Sequence, residues 1–260
     1  MNAAAQALDA GSGRPPLGAR DASFRLQPLR AFRAVRRLIA NKEDTAQVFE
    51  IMRALSGRAI PRGYARLLKT PQGGAIAYRR EEFADRLSDA AWLARFEPGT
   101  VGAAYRDFIA PRGLTAEGLA DESRKVADAD MDAAHPLLWY ARRLRDVHDV
   151  WHVLTGYGTD ALGEVCVVAF SYAQTRSLGF ALIALAGTRE FRRLKDGQPY
   201  GRAVREAWRA GRKAAWLPEV DYPALFAMPL DEARRVLSIV QPTTYDAIPA
   251  NLRQHFHRAA

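Results

Sequence analysis

The chain has 260 residues, enough for one substantial domain with its own core, and 48 % of them are apolar, which excludes a disordered composition. A single cysteine, Cys166, excludes an intrachain disulfide framework. The net charge of +9 favours anionic partners, but zinc-finger, RNA-recognition and helix-turn-helix signatures are all missing, so the expected partners do not include nucleic acid.

Residues 1–22 are rich in Ala, Gly, Pro and Arg with no apolar signal-peptide core, and read as a disordered leader before an all-α domain over 23–260. In "LQPLRAFRAVRRLIAN", Leu29, Phe32, Val35, Leu38 and Ile39 share one stripe, flanked by Arg30, Arg33, Arg36 and Arg37. Such a helix either packs on a core with its arginines in solvent or lies on an anionic membrane with Leu29, Phe32 and Leu38 dipped into it. "EDTAQVFEIMRAL" opens with Asp44 and has Gln47 three residues later, a capping-box pattern. "PQGGAIAY", from Pro71, reads as a plain turn, because no strand and no Lys-Ser/Thr pair make it a phosphate loop. "REEFADRLSDAAWLARF" reads as one helix stopped by "EPG", and "TVGAAYRDFIAPRG" as another ended by Pro111 and Gly113.

A long helix is expected from about His135 to Thr155, broken by "GYG". Asp160 can cap the next helix, expected to reach about Gly187; its apolar run, Leu178 to Gly187, is too short to span a bilayer. "YGRAVREAWRAGRKAAW" and "LDEARRVLSIV" are later helices, separated by the Pro-rich "LPEVDYPALFAMP". The expected architecture is a single-domain multi-helix bundle with an antiparallel helix pair around "GYG".

That pair carries the chemistry, in "RDVHDVWHVLTGYGTDALGE". At about 100° per residue, His148, His152 and Asp149 fall within about a third of the helix circumference, beside an apolar stripe of Leu137, Tyr140, Leu144, Val147 and Trp151. If the turn reverses the chain, Glu164 returns to the imidazoles. Two imidazoles and two carboxylates are a mixed N/O donor set that suits zinc and could suit iron or manganese. The alternative is that both histidines are satisfied core residues and that Asp149 pairs with Arg145. A zincin would need Glu where Asp149 stands; an HD-type phosphohydrolase would use His148 and Asp149 with an upstream histidine, for which His135 is the candidate. Cys166 lies about 200° from Glu164 on its helix and is expected to face the core.

The spacing His148-Asp149-x-x-His152, eleven residues, then Glu164 resembles the H-D-x-x-H-x(11)-E hallmark of the Coq4 family of ubiquinone-biosynthesis proteins. "EPGTVGAAYRDF" and "AWRAGRKAAWLPEVDYPALFAMPLDEARRVL" are similar to other family segments, and the resemblance runs from about Glu43 to Val240. It implies an all-α fold, a divalent metal, zinc foremost, on His148, Asp149, His152 and Glu164, and peripheral association with the membrane where ubiquinone is made. That membrane is the cytoplasmic face of the inner membrane in a bacterium, or the matrix side of the mitochondrial inner membrane in a eukaryote. It also implies metal-dependent loss of the C1 carboxylate, by a simple or an oxidative route, from a polyprenylated 4-hydroxybenzoate-derived ring, with Asp149 and Glu164 as catalytic candidates. The alternatives are a prenyl-lipid-binding scaffold that organises other ubiquinone-biosynthesis enzymes around a structural metal, and a metal-dependent hydrolase; a second copy of the chain, in a homo-oligomer, is among the candidate partners. For the lipid tail, the strip Val168, Ser171, Thr175, Leu178 and Leu182 is the expected wall, and Arg145, one turn before the motif, could hold a substrate carboxylate.

Overall fold

Short polar residues at helix ends divide this chain more finely than its apolar periodicity predicts. The computed structural model describes residues 26–40, 45–110 and 135–254. The leader, Asp44, Pro111 and Gly113 lie outside the described residues. Among the described residues the fold is helical, and an isolated antiparallel bridge joins Thr100 to Pro229.

The N-terminal part, to Ile109, holds α1 (Pro28–Ala40), α2 (Thr45–Leu55), α3 (Ala59–Leu67), α4 (Pro71–Arg79), α5 (Phe83–Leu87), α6 (Ala90–Leu93) and α7 (Val101–Ile109). Helix α4 corrects the expectation of a plain turn at Pro71. Thr70 Oγ1 accepts from the Gly73 N–H at 3.1 Å, and Pro71 takes the first helical position, where its missing N–H costs nothing. The single helix expected over "REEFADRLSDAAWLARF" is two, because Asp89 Oδ1 accepts from the Trp92 N–H at 3.0 Å and starts α6 afresh. On α1, among the described side chains, Ala31 and Ala34 are buried, whereas Leu29 is 74 % and Phe32 60 % exposed, so the Leu29–Phe32 part of the stripe does not pack on the core.

The remainder holds α8 (Pro136–Asp146), α9 (His148–Thr155), α10 (Ala161–Thr175), α11 (Leu178–Arg192), α12 (Tyr200–Lys213), α13 (Tyr222–Phe226), α14 (Leu230–Val236), α15 (Thr243–Asp246) and α16 (Ala250–Arg253). The long helix expected to Thr155 is interrupted at Val147 (φ −84°, ψ 0°). The bonds from Val147 N to Arg143 O and from Trp151 N to Val147 O, both 3.1 Å, continue through the break, so dihedrals change while the ladder survives. No proline or glycine marks that point. The helix expected from Asp160 to Gly187 also divides, because Arg176 adopts the left-handed conformation (φ 60°) and closes α10 on the Tyr172 carbonyl.

Helix α10 is the central element. Leu162, Val165, Cys166, Val167, Ala169, Phe170 and Ala173 are buried around its circumference, as expected of a helix enclosed by others. It packs chiefly on α12, then on α11. A smaller cluster, Ile60, Leu67, Ile76, Trp139 and Tyr140, joins α3, α4 and α8. The "EPGT" and "AMPL" segments meet through Val101 N to Met228 O and Leu230 N to Gly99 O, both 2.9 Å, which sets α7 beside α14 and both against α9. No helix among the described residues is long and apolar enough to cross a membrane.

Candidate metal centre

Four residues is slightly more than one helical turn, so His148 and His152 project from one face of α9. Their ring centroids lie 4.9 Å apart, edge to face at 70°. The helix ends at Gly156, whose φ of 79° is the left-handed conformation that glycine adopts without a Cβ penalty, and whose N–H closes on the His152 carbonyl at 2.8 Å. The chain turns through Tyr157 and Gly158, and Asp160 Oδ1 then caps α10 by accepting from the Gly163 N–H at 2.9 Å. A Cβ on Gly163 would stand 2.1 Å from the Gly158 carbonyl oxygen, so glycine is what allows α10 to begin this close to the turn. Tyr245 fastens the same turn: its hydroxyl accepts from the Gly158 N–H at 3.0 Å and donates to Asp160.

This closure returns Glu164 to the imidazoles. Its Oε2 lies 3.4 Å from His152 Nε2, and one donor atom each from His148, His152 and Glu164 fall within 4.8 Å of one another. No other such group of metal-binding side chains occurs among the described residues.

The state of His152 decides what this trio can do. Its Nδ1 is 3.0 Å from the Tyr157 carbonyl, which only accepts, so Nδ1 carries the hydrogen. Nε2 of the neutral ring is therefore a lone pair, fully buried and without a hydrogen-bond partner, and it faces a carboxylate oxygen that is also an acceptor. Two lone pairs aimed at each other need a cation between them, either a proton or a metal ion. Burial pulls the His152 imidazolium down, but the hydrogen bond that a protonated Nε2 donates to Glu164, and the charge of that carboxylate, more than offset it, and the net shift is upward. Burial likewise pushes the Glu164 carboxyl up, and His152 more than offsets that, so it lies below the usual carboxylate range. Nδ1–H on a backbone carbonyl with Nε2 left open is also the arrangement that orients a metal-ligating histidine.

Asp149 stands beside the trio rather than within it. Its Oδ1 is 3.5 Å from His148 Nδ1, on the flank of that ring, so the four-residue set expected from the sequence is three side chains and a neighbour in this geometry. Arg145 donates from Nε and Nη2 to Asp146 Oδ1 at 3.0 and 2.9 Å, where the sequence suggested Asp149 as its partner. His135 is spent as a helix cap, its Nδ1 accepting from the Leu137 N–H at 3.2 Å, so the upstream histidine that a phosphohydrolase needs is elsewhere engaged. Cys166 is buried in the core, as expected, and burial pushes its thiol well up. Of the strip after Glu164, Ser171 is fully buried, Val168, Thr175 and Leu182 are half-buried and Leu178 is exposed. Thr175 and Leu178 line a groove at the far end of α10.

Two contributors escaped sequence reasoning. Phe108 from α7 lays its ring against His152, centroids 5.5 Å apart and planes at 30°, and covers one face of the imidazole. Arg234 from α14 donates to the Leu154 and Val153 carbonyls at 2.9 and 3.1 Å, where the end of α9 leaves acceptors unpaired and the helix dipole is negative. Neither residue type carries a chemical signal in its own segment.

The chain matches the family described as Coenzyme Q (ubiquinone) biosynthesis protein Coq4 over residues 27–243. It is 30 % identical over 180 residues to the mitochondrial ubiquinone biosynthesis protein COQ4 homologue of Danio rerio, covering 68 % of this chain and 63 % of that protein. With the Rattus norvegicus homologue the identity is 28 % over 174 residues, covering 67 % and 63 %. The match thus spans less than two thirds of these relatives' length. A crystal structure from Nostoc punctiforme, of a protein provisionally named for ubiquinone biosynthesis, superposes with a TM-score of 0.58 at 20 % identity over 82 % of this chain and 98 % of the other, a likeness of fold.

Proposed function

This chain belongs to the Coq4 family, and from that premise we propose that it acts in ubiquinone biosynthesis, removing the C1 carboxylate of a polyprenylated 4-hydroxybenzoate-derived ring at a membrane surface. The observation that supports a metal-dependent reaction is the buried, unpartnered His152 Nε2 facing Glu164. His148, His152 and Glu164 would hold the ion, and an N/O donor set of this kind favours zinc. When bound, the ion supplies Lewis acidity toward a ring oxygen or the carboxylate.

The chain's own residues supply the rest. The Tyr157 carbonyl fixes the His152 tautomer, and Phe108 keeps water from one face of that ring. Loss of carbon dioxide breaks the bond from C1 to the carboxylate, leaves the electron pair in the ring, and requires a proton at C1. Asp149, partly exposed beside His148, is the carboxyl that would deliver that proton in this reading.

Helix α1 supports the membrane part of the reading. Leu29 and Phe32 project into solvent beside the exposed Arg33, Arg36 and Arg37, the composition of a helix that lies in a membrane interface. Binding to phosphatidylglycerol vesicles is expected to fall as salt rises, and to drop at least severalfold when Arg33, Arg36 and Arg37 become Gln. Unchanged sedimentation of the triple variant with vesicles would remove α1 as the docking surface. The same exposed residues favour a second reading, a lipid-binding scaffold for other ubiquinone-biosynthesis enzymes around a structural metal. A ubiquinone-deficient strain carrying this chain separates the two. The enzyme restores ubiquinone, and its site variants accumulate one carboxylated prenyl ring. With a scaffold, such variants deplete several of the other enzymes together and accumulate no single precursor.

A further inference from the structure

Residues with no part in the metal centre converge at the opposite end of α10. Thr175 lies eleven residues beyond Glu164, about 16 Å along a helix. A groove of about 610 Å³ opens there between α3, the end of α10 and the start of α11. Arg58, Arg62 and Arg66 follow one another at single-turn spacing along its α3 edge, and Arg176 faces them from the end of α10.

No carboxylate lines the groove among the described residues, and Arg58, Arg62 and Arg176 form no ion pair there. Arg66 is held over the Trp216 ring, 4.2 Å from its centroid, with its charge still unmatched by an acid. Tyr140 also reaches the groove. Gly63 makes room for it, since a Cβ there would stand 2.6 Å from the tyrosine hydroxyl, and that hydroxyl makes no hydrogen bond among the described residues. Below the charges the floor is apolar, formed by Leu55, Leu178 and Trp216. Leu26, half-exposed, also lines the groove.

Clustered guanidinium groups without a counter-charge repel one another, and an anion with several acceptor oxygens removes that repulsion while accepting their hydrogen bonds. A free hydrated phosphate would leave the apolar floor unused; an amphiphile uses both. We propose that this groove is a binding site for the headgroup of an anionic phospholipid. Its phosphodiester lies among Arg58, Arg62, Arg66 and Arg176, and its first acyl carbons lie on Leu55, Leu178 and Trp216. The site is independent of the metal centre, and it rests on the membrane-docking reading only for where the lipid comes from.

The test is titration calorimetry of the full, metal-loaded chain with dihexanoyl phosphatidylglycerol below its micellar concentration, a probe that needs no membrane. One lipid is expected to bind per chain. Arg58→Gln with Arg62→Gln should weaken it more than tenfold, and Leu178→Asp should do so independently. Dihexanoyl phosphatidylcholine and inorganic phosphate should each bind at least tenfold more weakly than the anionic lipid. The substituted side chains are exposed, so thermal melts should match the parent. Equal affinity in the arginine variant overturns the site, phosphate binding as well as the lipid reduces it to a free-anion site, and equal binding of the zwitterionic lipid removes the role of charge. The α1 triple variant should bind this soluble lipid normally, which keeps failure of vesicle docking distinct from failure of the groove.

Discussion

Glu164→Gln is expected to lower turnover by roughly a hundredfold or more while leaving the fold intact. Glutamine has the same length as glutamate, and at this position the side chain is partly exposed, so packing changes little. What changes is the electrostatics opposite His152. The carboxylate oxygen 3.4 Å from Nε2 becomes an amide that can turn its NH2 toward the lone pair. The buried nitrogen is then satisfied without any metal, and the charge that holds an ion is gone. The metal-free variant should therefore melt no lower than the metal-free parent at pH values where His152 is neutral, yet bind metal far more weakly. In a ubiquinone-deficient strain it should accumulate a prenylated ring still bearing its C1 carboxylate, at normal protein level. Normal ubiquinone from a stable Glu164→Gln protein would contradict a catalytic role for the site.

Gly163→Ala should be the most damaging single-methyl change in the chain's turn region. The new Cβ meets the Gly158 carbonyl oxygen at 2.1 Å and its carbon at 2.8 Å, and both are backbone atoms that cannot rotate away. Either α10 moves off the turn or the turn opens, at a cost of about 3 kcal/mol, the upper end for overpacking. For a chain of this size that is a fall of roughly 6–12 °C in melting temperature. Glu164 is the next residue, so the displacement also carries its carboxylate away from His152, and metal should be lost with stability. A variant that melts within about 2 °C of the parent and keeps its metal would show that the turn is looser than described.

The helices were legible where the sequence carries a period or a cap. Asp160 and the Gly156 stop were readable because their chemistry is local, and with them the return of Glu164 to His152. The errors have local causes too. Thr70 and Pro71 announce α4, a cap and a first-turn proline that a test for a phosphate loop alone passes over. Val147 breaks a helix with no proline or glycine to mark it. Arg176 takes a left-handed conformation that sequence assigns to glycine. On α1 the small alanines pack inward while Leu29 and Phe32 face out, so of the two arrangements open to that stripe the core-packed one does not form. Within the site, the helical wheel placed Asp149 near both histidines, but a wheel holds only one helix. Helix α10 lies on the His148–His152 side, and that tertiary fact decides which carboxylate completes the trio. Phe108 and Arg234 are tertiary in the same sense, each from an element joined to α9 only by the fold.

The central claim is that His148, His152 and Glu164 form a metal centre, and elemental analysis of the purified chain tests it most directly. Folded His152 holds its proton more tightly than the ordinary imidazole value of about 6.5. Metal must displace that proton, so affinity should fall as pH falls through the raised value. In the metal-free protein the sign is opposite. The imidazolium–carboxylate pair contributes stability that is fully present below the unfolded imidazole value and is lost as pH rises through the raised one. After dialysis against zinc at pH 8, the account expects about one ion per chain, less at pH 5.5, and none above background in a His148→Ala, His152→Ala double variant. Stoichiometric zinc persisting in the folded double variant, or a parent chain that takes up none at pH 8, would contradict it.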